Sequence, residues 1–323
     1  MTKFRKIAGI TLGMSMAFAA AVQVQAADAS LNIAYQYGLA YAPLIVAQDQ
    51  GLIEAAYEEA TGKTAEITWT QMSSGADINT GIAAGELDAG FLGVGPAITG
   101  VMKGVGYKIF TNLSGQEHGM MTNTEDYQKL EDLVGSNAQI ALVNTGSIQH
   151  IILAKALDEA GLDAHALDAN IVAMKHPDGM AALLSGSAQA HLTSSPYIFM
   201  EQNEEGLYPI EEVAAAWTAD DSFIVGVASE ELFDEDPELY TALVDGIAAA
   251  IQYVNDNPEE TAALTCEYDG NTAEDELFYL GKGVYKTQTS GIMEMAEFMG
   301  RTGFIESAPE EYSDLVFENV EGD

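Results

Sequence analysis

Residues 72–103 read MSSGADINTGIAAGELDAGFLGVGPAITGVMK, a loop, helix, tight turn, short strand, turn and second helix around which the chain is organised. Ser73 and Ser74 suit the start of a helix whose apolar face carries Ile78 and Ile82, four residues apart. Gly85 stops that helix, because glycine takes positive φ at little steric cost. Residues 89–93 are short and apolar, as a strand buried on both faces is. Gly95-Pro96 then turns the chain into a second helix, whose first turn tolerates proline. Two helix N-termini and a strand end therefore point into one place and offer unpaired backbone N–H groups there. That is the anatomy of a binding cleft.

A similar unit, DGMAALLSGSAQAHLTSSPYIF, follows about a hundred residues later. Asp77 and Gly85 are eight apart, and so are Asp178 and Gly186. Pro96 and Pro196 lie eleven and ten residues past their glycines, so the match is imperfect. Both chance recurrence in an α/β chain and two equivalent lobes account for it. Elsewhere, strands are expected at 31–35, 65–70, 107–113, 140–143, 170–174 and 222–228, alternating with helical segments up to the last of them. That alternation predicts an α/β fold, each lobe a mainly parallel sheet flanked by helices. Beyond residue 228 the chain reads as helical, with Pro237 and Pro258 opening two helices. If those helices return to the first lobe, the chain crosses between lobes near 115–120 and 217–223. The expected division is a signal peptide at 1–26, one lobe from 27–116 with 223–323, and a second lobe at 117–222.

Residues 1–26 have the form of a secretory signal. Lys3, Arg5 and Lys6 precede an apolar run too short to span a bilayer comfortably, and Val24-Gln25-Ala26 supplies small residues for cleavage. The sole cysteine, Cys266, is far from that site, so a lipid anchor is not expected and a periplasmic protein free in solution is. It also allows no internal disulfide. Cleavage removes three of the twelve basic residues and no acid, leaving 9 − 50 = −41. Such a surface is a poor partner for nucleic acid or anionic membrane.

Catalytic signatures are missing: no phosphate loop, no G-x-S-x-G elbow, no H-E-x-x-H and no C-x-x-C. The five histidines, at 118, 150, 165, 176 and 191, have no metal-ligand spacing, and neither metal nor cofactor is expected. What remains is a set of polar and aromatic loop residues at strand ends, where ligands gather in open α/β sheets. Tyr37 and Tyr41 follow the first strand, Ser73 and Ser74 precede a helix, and His118 lies near the first crossing. Thr145, Gly146 and Ser147 open a second-lobe helix, and Ser195 and Tyr197 flank Pro196. Each serine alone reads equally well as an ordinary helix cap, and each tyrosine as ordinary packing.

With these motifs in place, the chain resembles the substrate-binding proteins of ABC importers for nitrate, sulfonates, taurine and thiamine-precursor pyrimidines. The resemblance is carried by IAYQYGLAYAPLIVAQDQGLI, SSGADINTGIAAGELDAGFLGVGPA, NTGSIQHIILAKALDEAGLD and SSPYIF. It implies a two-lobed, flytrap-like (type II) periplasmic binding fold with a small solute at the hinge. A permease and its ATPase are the implied partners, and a monomer is expected. Ser73, Ser74, Gly95, Thr145, Gly146, Ser147, Ser195 and Tyr197 fall on positions that line such clefts. Sulfonate and nitrate binders commonly add a cationic side chain, yet after residue 26 the chain has one arginine, Arg301, in its late helical part. A zwitterion resembling taurine, or a neutral aromatic, is therefore the expected solute. Asp178 or Glu117 would meet the ammonium group of the first, and Tyr37, Tyr41 and Tyr197 would stack on the ring of the second. The alternative reading is a pyrimidine-synthase-like enzyme on the same fold, against which the single cysteine and the signal peptide both speak. A sensor domain is a third.

Overall fold

A computed structural model describes residues 27–323, and the signal peptide expected at 1–26 lies outside the described residues. The apolar runs become strands β1 (Ala29–Tyr35), β2 (Ala65–Gln71), β3 (Ala89–Gly93), β4 (Tyr107–Ser114) and β5 (His118–Thr122). They continue as β6 (Ile140–Leu142), β7 (Ile171–Ala173), β8 (Ala190–Ser194), β9 (Tyr208–Ile210) and β10 (Ile224–Ser229). Two five-stranded sheets result, ordered β2-β1-β3-β10-β4 and β7-β6-β8-β5-β9. In the first, β1 runs parallel to β2 and β3, while β10 is antiparallel to β3 and β4. In the second, β6 runs parallel to β7 and β8, while β5 is antiparallel to β8 and β9. Each lobe is thus a mixed sheet flanked by helices, with one reversed strand. In both cases that strand is the first after the chain arrives from the other sheet.

The two strand orders correspond position by position, and the near-repeat has its physical basis there. The Gly75–Ala83 helix leads into β3 and the His176–Ser185 helix into β8. Both strands are buried along their whole length, as strands covered on both faces must be; this selects an apolar, small-residue run in β3, while β8 buries His191 and Thr193 as well. Gly85 (φ 70°) and Gly186 (φ 76°) end the preceding helices in the left-handed region that favours glycine. The second helix of the first unit starts earlier than the Gly95-Pro96 turn implied, with Gly93 as N-cap of Val94–Met102. Neither β5 nor β9 was legible as an apolar run, because β5 is HGMMT and β9 only three residues long.

The C-terminal third returns to the first sheet. The Pro237–Asp256 helix packs on the Leu52–Thr61 and Ala42–Gln50 helices. Its buried face carries Leu243, Ile247, Ile251 and Val254, each contributing roughly 1.5–3 kcal/mol of burial. The tail then pairs with β4, where Ile109 N–H donates to the Leu315 carbonyl and Phe317 N–H to the Ile109 carbonyl, at 3.0 and 2.9 Å. No helix among the described residues is long and apolar enough to cross a membrane.

Candidate functional site

The carboxyl ends of strands from both sheets face one another across a cleft of about 30 Å³. From the first lobe, its wall takes Gln36 and Tyr37 after β1, Ser73 and Gly75 at the start of the Gly75–Ala83 helix, and Gly93 and Pro96 at the start of the next. From the second come Val143 after β6, Ser147 and Gln149 at the start of the Ile148–Glu159 helix, and Lys175 and His176 at the start of His176–Ser185. Four helix N-termini therefore converge, where the first-turn N–H groups lack intrahelical acceptors. A volume of 30 Å³ holds little more than a water or two, so a solute of several heavy atoms requires the wall to yield.

The 36–41 loop is held from behind. Ser114 Oγ donates to the Ala40 carbonyl at 2.9 Å, and Tyr285 Oη donates to that of Leu39 at 2.9 Å. Tyr41 is buried and donates to Gln36 Oε1 at 3.2 Å, and burial raises its pKa. Gly38 (φ 105°) brings the loop against the second lobe, where an added side-chain carbon would stand 3.3 Å from the Ser195 carbonyl oxygen.

The opposite wall rests on a buried polar cluster. His176 Nε2 faces the Gln149 amide nitrogen at 3.3 Å, and its Nδ1 faces Thr193 Oγ1 at 2.8 Å. Only the amide nitrogen can donate in the first contact, so Nε2 accepts and Nδ1 carries the proton. Burial, and then the neighbouring His191, push the His176 pKa down to about 3, so the ring is neutral. Behind it, the fully buried Glu201 and His191 lie 2.5 Å apart. Burial pushes Glu201 up to about 9 and His191 down to about 3, which makes this a neutral acid donating to a neutral imidazole.

The expected site residues divide. Tyr37, Tyr41, Ser73 and Ser147 line the cleft. Ser74 does not; it is the N-cap of its helix, accepting from Asp77 N–H at 3.2 Å and donating to Asp77 Oδ2 at 2.8 Å. Gly95 packs against the second lobe, where a methyl group would come within 2.2 Å of Ile151 Cδ1. His118 is a buried piece of the crossing, stacked on Phe223 with ring centres 6.0 Å apart. Thr145 is exposed, and Gly146 (φ 84°) shapes the turn ahead of Ser147. Ser195 is buried beside the cleft, and Tyr197 stacks on the far side of His176 at 5.8 Å. Asp178 and Glu117, expected opposite an ammonium group, are both exposed and do not line the cleft.

A cationic side chain does line the cleft, Lys175, which a count of arginines alone did not anticipate. Its Nζ lies 5.1 Å from the centre of the Tyr37 ring, across the cleft from the first lobe. A signal for it exists, since Lys175 stands three residues before Asp178 as Ser74 stands three before Asp77. No Asp or Glu lines the cleft, in a chain with 50 of them. Among the described residues, no group of three or more His, Cys, Asp or Glu is placed to hold a metal ion.

The chain matches the model of the NMT1-like family over residues 25–268. No curated protein sequence matches it. Among solved structures it is similar to the alkanesulfonate-binding protein SsuA of Xanthomonas axonopodis pv. citri bound to MOPS. The TM-score is 0.73 at 16% identity, covering 93% of this chain and 100% of that one. It is also similar to the periplasmic aliphatic sulphonate binding protein SsuA of Escherichia coli (TM-score 0.67, 17% identity, 90% and 93% covered). A third is the periplasmic nitrate-binding protein NrtA of Synechocystis PCC 6803 (TM-score 0.69, 14% identity, 90% and 85% covered). At these identities the likeness carries the fold alone. The family match spans well over half the sequence, and the chain accordingly belongs to the NMT1-like family, with the two-lobed α/β fold of the nitrate- and sulfonate-binding proteins.

Proposed function

We propose that the protein is the extracytoplasmic solute receptor of an ABC importer, which closes over one small anion and hands it unchanged to a permease and its ATPase. One observation carries this reading: the cleft gathers four helix N-termini and Lys175 while excluding every carboxylate of a strongly acidic chain. A carboxylate 4 Å from a bound anion costs roughly 4 kcal/mol at an effective dielectric constant of 20, so its exclusion matters. Each helix N-terminus adds ~0.3–1 kcal/mol when exposed and up to ~2 when partly buried. The same wall disfavours a zwitterion, whose ammonium group would meet no acid.

In this reading the lobes comprise 27–116 with 223–323, and 117–222, hinged where the chain crosses between the sheets. Residues 1–26 direct export and are removed, and the mature protein works as a monomer in the periplasm without a lipid anchor. Binding without chemistry fits the wall. His176 is too weak a base at neutral pH, and no carboxylate lies beside it to make an acid–base pair.

A thermal-shift and calorimetric panel tests the proposal. It should contain ethanesulfonate, longer alkanesulfonates, taurine, nitrate, pyrimidines and aromatic acids. A ligand at about a hundred times its Kd adds ~2.7 kcal/mol. Ethanesulfonate should bind more tightly than taurine, which differs by the ammonium group. Tighter binding of taurine, or turnover of any panel member, would overturn the reading.

A further inference from the structure

We propose that His165, Asp168 and His150 form a proton-dependent latch that ties closure of the lobes to the solute-binding turn at 144–147; the proposal rests on the receptor reading of the cleft. His165 Nε2 faces the main-chain oxygen of Thr302 at 2.7 Å, and its Nδ1 faces Asp168 Oδ2 at 2.9 Å. Both partners only accept. A neutral ring has one N–H and satisfies one of them; the imidazolium donates to both. Thr302 ends the Ile292–Thr302 helix, which packs on the Val94–Met102 helix of the first lobe. At that end the carbonyls lack intrahelical donors and the helix dipole favours positive charge.

The same carboxylate reaches the cleft. Asp168 Oδ1 accepts from His150 Nε2 at 2.8 Å, and His150 Nδ1 accepts from Gly146 N–H at 2.9 Å. Gly146 immediately precedes Ser147 in the cleft wall. The proton on His165 therefore joins the lobes, and Asp168 passes its orientation through His150 to the turn. Phe304 covers the assembly, its ring 5.0 Å from that of His150 and 5.1 Å from that of His165.

The charged groups around His165 favour its cation. Its own lobe presents Asp163 and Asp168, which favour it, and His150, whose own pKa is lowered by burial and which opposes it; the facing lobe presents the Thr302 carbonyl and Phe304. The adjacent Arg301 is engaged by Asp158 at 2.9 and 3.1 Å, and Lys155 pairs across the same boundary with Glu294 at 3.2 Å. The Thr302 carbonyl first, and then Asp168 against the cost of burial, hold the His165 pKa above its ordinary value. The other four histidines are pushed below theirs by burial. Opening removes the Thr302 carbonyl, so the closed form binds the proton more tightly. Closure is then favoured below the ordinary histidine value of about 6.5, and the advantage fades as pH rises through the raised one.

Small-angle scattering from the solute-free protein at about pH 5.5 and 8.5 tests this. The wild type should be more compact at the acid pH, with the closed-to-open ratio changing roughly threefold to tenfold. His165→Gln should give one radius at both values; the side chain is 40% exposed, so the substitution leaves the core intact. In spectra of the wild type, the Gly146 amide resonance should follow the same titration. A wild-type radius that ignores pH, or a variant that keeps the response, would overturn the latch. A Gly146 resonance that stays fixed while the lobes move would overturn its link to the turn. The measurement needs no solute, so a radius that ignores pH overturns the latch alone, while the solute panel judges the receptor reading separately.

Discussion

Replacing Gly93 by alanine should hold the lobes apart without unfolding either one. Gly93 ends β3 with φ −56° and ψ 144°, a conformation alanine adopts freely. An added methyl carbon would stand 2.7 Å from both Cβ and Cγ2 of Ile148, which opens the facing helix of the second lobe. Carbon atoms pack comfortably at about 3.5–4.0 Å, so the lobes must separate by roughly 1 Å. The next nearest atom, Pro96 Cδ of its own lobe, is at an ordinary 3.5 Å. The clash therefore exists only in the closed form. Overpacking of this kind typically costs ~1–3 kcal/mol, which lowers the closed-to-open ratio roughly 5- to 150-fold. Gly93 also lines the cleft, so scattering from the solute-free protein isolates closure from direct contact with a solute. Ile148→Ala removes one of the two clashing carbons and should recover part of the loss. A Gly93→Ala protein as compact as the wild type would refute the reasoning, and so would one whose thermal unfolding shows that the first lobe itself is damaged.

Lys175→Met should weaken binding of an anionic solute by about tenfold, near the ~1.5 kcal/mol of one charged hydrogen bond, in calorimetry at low salt. An unchanged Kd would remove Lys175 from the site. Ser147→Ala deletes an N-cap that accepts from His150 N–H at 3.3 Å, and should cost about 1 kcal/mol in denaturant unfolding while also weakening solute binding. Normal affinity would leave Ser147 with only its capping role. The folded-state pKa of Glu201 lies near 9 against an ordinary 4.5, so its contribution to stability is full at acid pH and lost as pH rises through about 9. Glu201→Gln should lessen the wild type's loss of stability between about pH 6 and 9.5, on the order of 2 kcal/mol. An identical loss in both proteins would mean that Glu201 is not the group responsible.

The elements legible in the sequence were those whose burial leaves a one-dimensional trace. β3 is covered on both faces and its residues are apolar or small throughout; β8 is equally buried but carries His191 and Thr193, and what marks it is the glycine that ends the preceding helix at the same spacing as in the first lobe. β5 and β9 carry no such trace. β5 holds His118 and β9 is three residues of mixed character, and only their partners in the sheet make them strands. The site follows the same logic. Tyr37, Ser73 and Ser147 lie directly at element ends, where turn and capping chemistry marks them. Gln149 and His176 are polar residues buried by tertiary contact, and nothing local distinguishes them from surface positions. Lys175 was readable only by aligning the two units, and counting arginines concealed it. The ammonium partners failed for a related reason. Asp178 shares the position of Asp77 in the repeat, three residues into a helix, and both are exposed.

Native mass spectrometry of the protein purified from the cells that make it tests most directly whether this cleft holds a small anion and leaves it unaltered. The account predicts one added mass per chain, belonging to a compound with an acidic group and no ammonium, released intact when the protein is denatured. A zwitterionic or cationic passenger, more than one per chain, or a passenger recovered in altered chemical form would contradict it.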